Sequence, residues 1–295
     1  MHKLSENPPF NRNREIMEDK DEELERLASN AILMECFGFI ESILGYELSA
    51  ADKQPFLFFH NYITNPQPTF ITNWKADSKN EIWYHKFSNR ILGDLQNAFP
   101  CVLYHYDKLV ELENSLFTGI EKFNYRELIS RNSGMGGGNT LIFDFEYQAY
   151  ILAFRRCLDY LARAIGTYFR QDYNSFRKLG DYLNKLNIPT ITEPLEKLHE
   201  KYSTNFDFVL SEGNRKSVRD IISHYEFVSV GTINLSQRGI VIAGGGKNEF
   251  IFYGEKNMLL SEVLQKQVSD LRLCIREFIY TYVESIRKDQ YEKNT

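Results

Sequence analysis

The chain has 295 residues, of which 43% are hydrophobic and 25% are charged, so it is long enough to bury a core without disulfides or metals. Its formal net charge of −5 excludes a protein whose overall field attracts nucleic acid, and any RNA-binding surface must be a local basic patch. The cysteines, Cys36, Cys101, Cys157 and Cys274, form no CxxC pair, which predicts reduced core thiols rather than a disulfide framework or a zinc site.

The first residues of the chain predict neither secretion nor membrane insertion. Residues 1–14 are polar, contain Pro8 and Pro9, and lack the apolar segment of a signal peptide. No stretch of the chain reaches the ~18 apolar residues that a spanning helix needs. We therefore expect an extended N-terminal arm and a cytoplasmic protein.

The N-terminal half is predicted to be largely helical. An acidic start and an apolar stripe predict a helix from Met17 to Tyr46. Residues 48–80 contain three prolines, which favour a loop with a short helix or strand. One long helix is predicted from Trp83 to Phe123, with Pro100 as the place where a kink would form.

A glycine-rich segment, residues 133–139, is the clearest break in the pattern. It lacks the lysine and the spacing of a phosphate-binding loop, so we interpret it as a linker. This interpretation divides the chain into a helical region at 1–140 and a bundle domain at 141–295. A second glycine run, Gly244–Gly246, is interpreted as a hairpin turn.

The C-terminal half shows apolar residues at helical spacing, interrupted by a short β-branched region. The region VSVGTIN, GIVIAG and NEFIFYG predicts a small antiparallel β-meander. The fold class is therefore mainly α: a helical bundle with a β-meander insertion, preceded by a helical N-terminal region. The predicted helices run from Phe143 to Arg170, from Ser175 to Leu186, onward from a Thr192 cap with Pro194 in the first turn, from an Asn214 cap to Glu226, and onward from an Asn257 cap.

The fourth of these helices contains Arg219, Asp220 and, after three more residues, His224. This pattern resembles the R-x4-6-H motif of the HEPN superfamily, in which a polar residue often follows the arginine. The resemblance covers residues 141–295. It implies a metal-independent endoribonuclease that needs no cofactor and acts as a homodimer whose motifs face one cleft. It also implies a role as a toxin, a phage-defence factor or an RNA-processing factor, with a nucleotidyltransferase antitoxin as one kind of partner for a toxin.

The chemistry that the motif suggests needs only two side chains. A histidine can take the proton of a ribose 2′-hydroxyl or protonate the leaving 5′-oxygen. An arginine can bind the phosphate as negative charge develops on it. The products would be a 2′,3′-cyclic phosphate and a 5′-hydroxyl. Asp220 would pair with Arg219 or raise the pKa of His224, and it would repel phosphate, so we assign it a supporting role.

Helix geometry limits how one copy of the motif can act. Five residues of ideal helix rotate by about 500°, so Arg219 and His224 point roughly 140° apart. Either the helix ends near His224 or two copies of the motif meet across a dimer. The structural alternative is a surface ion pair together with a histidine that stabilises a helix C-terminus.

Arginines in the predicted helix 143–170 suggest a path for RNA. Arg156, Arg163 and Arg170 recur every seven residues and would share one face, while Arg215 and Lys216 flank the motif. Such a stripe could follow a phosphate backbone, although a solvated face is the structural alternative. Arg177 continues the seven-residue repeat but counts only if the helix extends that far, and Arg155 and Lys178 add charge.

The remaining histidines lack the spacing of metal ligands, so each is expected to be structural or exposed. They are His2, His60, His85, His105 and His199. Among the acidic residues, Asp144, Glu146 and Asp159 do not form a convincing catalytic pair. The main alternative to the nuclease is a non-catalytic helical module for binding or dimerisation, which the acidic net charge favours. A nucleotide-binding regulator is a third and weaker alternative.

Overall fold

A computed structural model describes residues 30–124, 127, 134–137, 139–210, 222, 227, 232–236, 239–243 and 260–294. The chain divides into two compact units, Met1–Glu47 and Leu48–Thr295. In the first unit, residues 30–44 form helix α1, and every residue of that helix is exposed. The predicted helix from Met17 to Tyr46 is therefore confirmed over 30–44, and its residues 17–29 lie outside the described part.

The second unit is mainly α, which confirms that part of the prediction. Short irregular pieces accompany its helices: a π-helical turn at Arg90–Leu95 and a 3₁₀ turn at Phe176–Lys178. The helices are α2 (Ala50–Thr64), α3 (Thr69–Ala76), α4 (Glu81–Asn89), α5 (Gln96–Glu121), α6 (Leu141–Gly166), α7 (Leu179–Leu183), α8 (Pro189–Asn205), α9 (Asp207–Leu210) and α10 (Leu260–Asn294).

The π-helical turn joins the end of α4 directly to the start of α5 without a loop. The predicted long helix from Trp83 to Phe123 is therefore confirmed. Pro100 lies inside α5, and the irregular turn lies just upstream of it, at Arg90–Leu95. A proline ring crowds the turn that precedes it and removes one backbone donor. A π-helical turn is a common way to absorb a local change in helical register.

The core of the second unit is shared by helices from both halves of the chain. Helix α6 packs against α5, and α10 packs against α8, α2 and α5. Residues on both sides of the predicted boundary at 140 and 141 therefore belong to one unit. The apolar face predicted for the last helix is confirmed, because Leu264, Val268, Leu271 and Phe278 are buried along α10.

Aromatic side chains fill the end of the core where α6 stops. The centroid of the Phe87 ring lies within 6.0 Å of the ring centroids of Phe59, Phe70, Trp74 and Tyr282. Such tilted and edge-on contacts bury large areas and add about 0.5–1.5 kcal/mol per pair beyond that burial.

The Tyr282 hydroxyl, which belongs to α10, closes the C-terminal end of α6. It lies 3.3 Å from the carbonyl oxygen of Ala164 and 3.1 Å from that of Ile165, and it accepts the backbone N–H of Tyr168 at 3.1 Å. The last carbonyl groups of a helix have no partner within the helix. The Ala164 oxygen already accepts from the backbone N–H and the hydroxyl of Thr167. The single hydroxyl proton of Tyr282, shared between the two carbonyl oxygens, adds a buried donor from another helix where water cannot reach.

The predicted β-meander insertion is wrong. The described strands are β1 (Gly134–Gly137), β2 (Thr232–Ser236) and β3 (Gly239–Ala243), in antiparallel order β1-β2-β3. The β2–β3 hairpin thus pairs with the glycine-rich segment that we interpreted as a linker, with Gly134 opposite Ser236. Backbone groups make this pairing, so residues without apolar alternation can supply a strand. The third predicted strand, NEFIFYG, lies outside the described residues.

Two helix ends also differ from prediction. Helix α8 starts with Ile188 as N-cap and Pro189 in its first turn, while Thr192 is buried inside the helix, so the predicted Thr192 cap is wrong. Proline suits the first helical position because its missing N–H would have no partner there. Helix α6 ends at Gly166 rather than at Arg170.

Candidate functional site

Arg219, Asp220 and His224, together with Arg215 and Lys216, lie outside the described residues. Of their predicted helix, Ile222 is described; its side chain is half-buried and packs against the core of the second unit.

Of the three arginines predicted to form an RNA-binding stripe, the first two lie on one helix. Arg156 is exposed on α6, and its Nη2 lies 3.9 Å from Sγ of Cys101 on α5. Arg163 is half-buried, with its guanidinium 5.5 Å from the centre of the Tyr160 ring. These two side chains retain the spacing of two turns that the sequence suggested.

Arg170 does not continue this stripe, which corrects the prediction. It follows the end of α6, has a φ of 56°, and stacks over the Trp74 ring at 5.5 Å. The chain folds back over Gly166, where an added Cβ would lie 2.6 Å from the backbone oxygen of Gln171. Gly166 was the signal in the sequence, because glycine commonly ends a helix where the chain turns sharply.

Arg155 has a structural role rather than a role in binding phosphate. Its Nε donates to Asp159 at 3.1 Å, its Nη1 to the carbonyl oxygen of Val209 at 3.3 Å, and its Nη2 to Oγ of Ser175 at 3.0 Å. Asp159 also accepts the backbone N–H of Phe176 at 2.9 Å. The pair therefore ties α6 to the 3₁₀ turn and to α9. An arginine with three internal partners has little capacity left for a ligand.

A histidine–carboxylate pair joins α5 to α6, and sequence analysis missed it. Nδ1 of His105 lies 2.7 Å from Oε2 of Glu146, and both side chains are partly exposed, at 20% and 27%. Cys101, beside Arg156, lies one turn before His105, and Lys108 lies one turn after it. The two histidine ring nitrogens are distinct, and a carboxylate on Nδ1 orients the ring and leaves Nε2 for proton transfer.

We call these five residues, Cys101, His105, Lys108, Glu146 and Arg156, the α5–α6 face. Lys108 also binds Glu111 at 2.7 Å, and this hydrogen bond raises the pKa of the lysine. The face carries two permanent positive charges and one carboxylate, so it is only weakly basic. The face is too short to follow a long strand of RNA.

The cysteines divide by burial. Cys157 and Cys274 are buried, and desolvation raises the pKa of both thiols, so the prediction of core thiols is confirmed for this pair. Cys36 is exposed on α1 and Cys101 is half-buried, which corrects the prediction for those two. Within the described ranges, no three His, Cys, Asp or Glu side chains are grouped as metal ligands would be.

Comparison with known proteins adds no relative. No protein-family model, no curated protein sequence and no solved structure matches this chain. None of the described helices is both long enough and apolar enough to cross a membrane. The resemblance to the HEPN superfamily therefore rests on residues 219–224 and on their sequence context.

Proposed function

We propose that the chain is a metal-independent endoribonuclease of the HEPN type, with Arg219 and His224 as its catalytic residues and Asp220 in support. The observation that carries this proposal is the Arg219-x4-His224 spacing on a predicted helix that precedes the long amphipathic helix α10. The mainly helical fold of the second unit agrees with the fold class that the resemblance implies. A fold alone does not determine an activity, so the proposal depends on the motif.

In the proposed reaction, the imidazole of His224 removes the proton of a ribose 2′-hydroxyl. The 2′-oxygen then attacks the adjacent phosphorus, and the bond from phosphorus to the 5′-oxygen breaks. His224 of a second copy of the chain protonates the leaving oxygen. Arg219 stabilises the additional negative charge on the phosphate. One imidazole thus acts as the base and the imidazole of the second copy acts as the acid. A homodimer supplies both in one cleft.

Arg215 and Lys216 would bind the phosphates next to the cleaved bond, and Arg156 and Arg163 on α6 would extend the path. This assignment follows from their positive charge and from the exposure of Arg156. Each phosphate contact adds affinity that decreases with salt. Cleavage should therefore slow as the salt concentration rises.

The test is RNA cleavage in EDTA by the wild-type chain and three variants. We expect His224→Ala and Arg219→Ala each to lower the rate by about 100-fold or more, the usual loss for a proton-transfer group or a charge-stabilising group. His85→Ala removes another exposed histidine and should retain the wild-type rate. Mass spectrometry should find 2′,3′-cyclic phosphate ends, and a substrate with a 2′-deoxyribose at the cleavage site should survive. Equal cleavage by the wild type and by His224→Ala would overturn the proposal.

A second candidate function is a non-catalytic module for binding and dimerisation. Helix α1 favours it, because its large apolar side chains are between 50% and 80% exposed, and contiguous exposed apolar surface usually marks an interaction site. These side chains are Ile32, Leu33, Met34, Phe37, Phe39, Ile40, Ile43 and Leu44. We propose that they contribute to a homodimer. A nucleotidyltransferase antitoxin remains a prediction of the resemblance.

Sedimentation velocity tests the homodimer, which both candidates require, and RNA cleavage in EDTA separates the two candidates. The double variant Phe37→Asp, Ile40→Asp should sediment as a monomer under conditions in which the wild type sediments as a dimer. Ser42→Asp on the same helix adds charge without removing an apolar side chain, and this control should remain a dimer. A dimer without activity on RNA in EDTA would favour the binding module. A wild-type chain that sediments as a monomer at all concentrations would refute the homodimer.

A further inference from the structure

A cavity of about 330 Å³ opens between helices α2, α5 and α10 of the second unit. Three of its apolar lining residues, Pro55, Phe99 and Ile275, are buried. Ala51, Ser269 and Leu273 lie nearer the solvent and complete the wall. The volume falls at the small end of the roughly 300–1,000 Å³ range of ligand pockets.

The polar groups of the cavity are two arginines and one aspartate. Asp52 is 8% exposed, and both of its carboxylate oxygens are occupied: Oδ1 by Nε of Arg272 at 3.0 Å and Oδ2 by the Ser49 hydroxyl at 2.8 Å. Arg272 therefore neutralises a buried charge. Arg276 follows one turn later on α10 and also lines the cavity. The lining contains one carboxylate and two guanidinium groups, so the positive charge of Arg276 is not neutralised within the lining.

The donors that remain point to an anionic ligand. Arg272 uses only Nε for Asp52 among the described groups, so both of its terminal amino groups retain donors. Within the described part of the chain, Arg276 makes no ion pair or hydrogen bond. A guanidinium holds a carboxylate through two parallel hydrogen bonds. Two such groups at the edge of an apolar cavity can orient a ligand by its charged end while the apolar end is buried.

We propose that this cavity binds a small amphipathic carboxylate, with its carboxylate on Arg272 and Arg276 and its apolar body against Pro55, Phe99 and Ile275. One positive charge in excess matches a monoanion, whereas a phosphate monoester would bring a second charge that the lining does not neutralise. The site is separate from Arg219 and His224 in the sequence, and ligand binding does not require the proposed nuclease activity. A bound ligand would contact α2, α5 and α10 together and would stabilise the fold by linkage.

The test uses octanoate as probe, titrated into the full chain by isothermal calorimetry. We expect saturable binding of one octanoate per chain and a rise in Tm with octanoate concentration. Octan-1-ol has the same apolar body without the charge and should bind at least about tenfold more weakly. Arg276→Gln should weaken octanoate binding by at least about tenfold, because it removes the excess charge and leaves the Asp52–Arg272 pair intact.

Two further variants separate binding from stability. Lys288→Gln removes a positive charge from the same helix, about 18 Å from Arg276 along the helix axis. It should leave the Kd for octanoate within about twofold of wild type, because solvent and salt screen a distant, exposed charge. Ser269→Phe places a ring at the exposed edge of the cavity and should abolish binding without lowering the Tm of the ligand-free chain. Absence of saturable binding, equal binding of octan-1-ol, or an unchanged Kd in Arg276→Gln would each overturn the proposal.

Discussion

The carboxylate of Glu113 binds the N-terminal end of α10 from a position on α5. It accepts the backbone N–H of Leu260 at 2.8 Å and that of Ser261 at 3.0 Å, and the residue is 1% exposed. Glu113→Ala leaves these two donors without their acceptor in a site that water hardly reaches. An unsatisfied buried donor costs about 1–3 kcal/mol, and losing a cap costs about 0.5–2 kcal/mol. We expect the free energy of unfolding to fall by about 2–4 kcal/mol.

Glu111 provides a matched control for this substitution. It lies two residues before Glu113 on the same helix, but its carboxylate is exposed and binds Lys108 on the surface. Solvent screens exposed ion pairs such as this one, so Glu111→Ala should change stability little. Urea unfolding followed by circular dichroism measures both variants, and hydrogen exchange at residues 260–264 should increase in Glu113→Ala alone. If the two variants lose equal stability, Glu113 does not cap α10.

Three other predictions concern packing and ionisation. Gly166→Ala should destabilise the fold by about 1–3 kcal/mol, because the new Cβ would meet the backbone oxygen of Gln171 at 2.6 Å. Gly119→Ala, whose Cβ meets no atom within 4 Å, should stabilise α5 by about 0.5–1 kcal/mol. A change in Tm of the same sign for both variants would contradict the geometry. Phe154→Ala removes a fully buried ring that contacts Phe206 and should cost about 3–5 kcal/mol in urea unfolding. Burial raises the pKa of Tyr173 to about 12, so the stability that this residue contributes should be full below pH ~10, where unfolded tyrosines begin to ionise, and should fall as the pH rises towards the folded pKa. The difference in tyrosinate absorbance between the wild type and Tyr173→Phe isolates this hydroxyl among the 18 tyrosines, and a difference that develops near pH 10 in the native chain would contradict this.

Periodic apolar residues made the long helices predictable from the sequence. In α6, Ile151, Phe154, Leu158 and Leu161 recur at helical spacing, and all four are buried. The same holds for α10. A long amphipathic helix is specified largely by its own residues, because burial of one continuous face repeats the same signal many times. Helix existence therefore follows from the sequence over these segments.

Contacts between distant segments could not be predicted in this way. The pairing of Gly134 with Ser236 depends on backbone groups that every residue possesses, so neither segment carries information about its partner. The cap that Glu113 supplies to α10 and the His105–Glu146 pair also join residues far apart in the chain. Arg170 was misplaced for a different reason, since the arginine repeat continued past Gly166 although the helix did not.

The Tyr282 hydroxyl has a consequence for the order of assembly. Its partners at Ala164 and Ile165 precede it by more than a hundred residues, so they are synthesised well before the helix that contacts them. Until residues 260–294 have left the ribosome, the end of α6 and the aromatic rings around Phe87 lack their cover. We therefore expect the nascent chain to remain partly folded, with apolar surface exposed, until α10 is synthesised. Chaperones protect such aggregation-prone species.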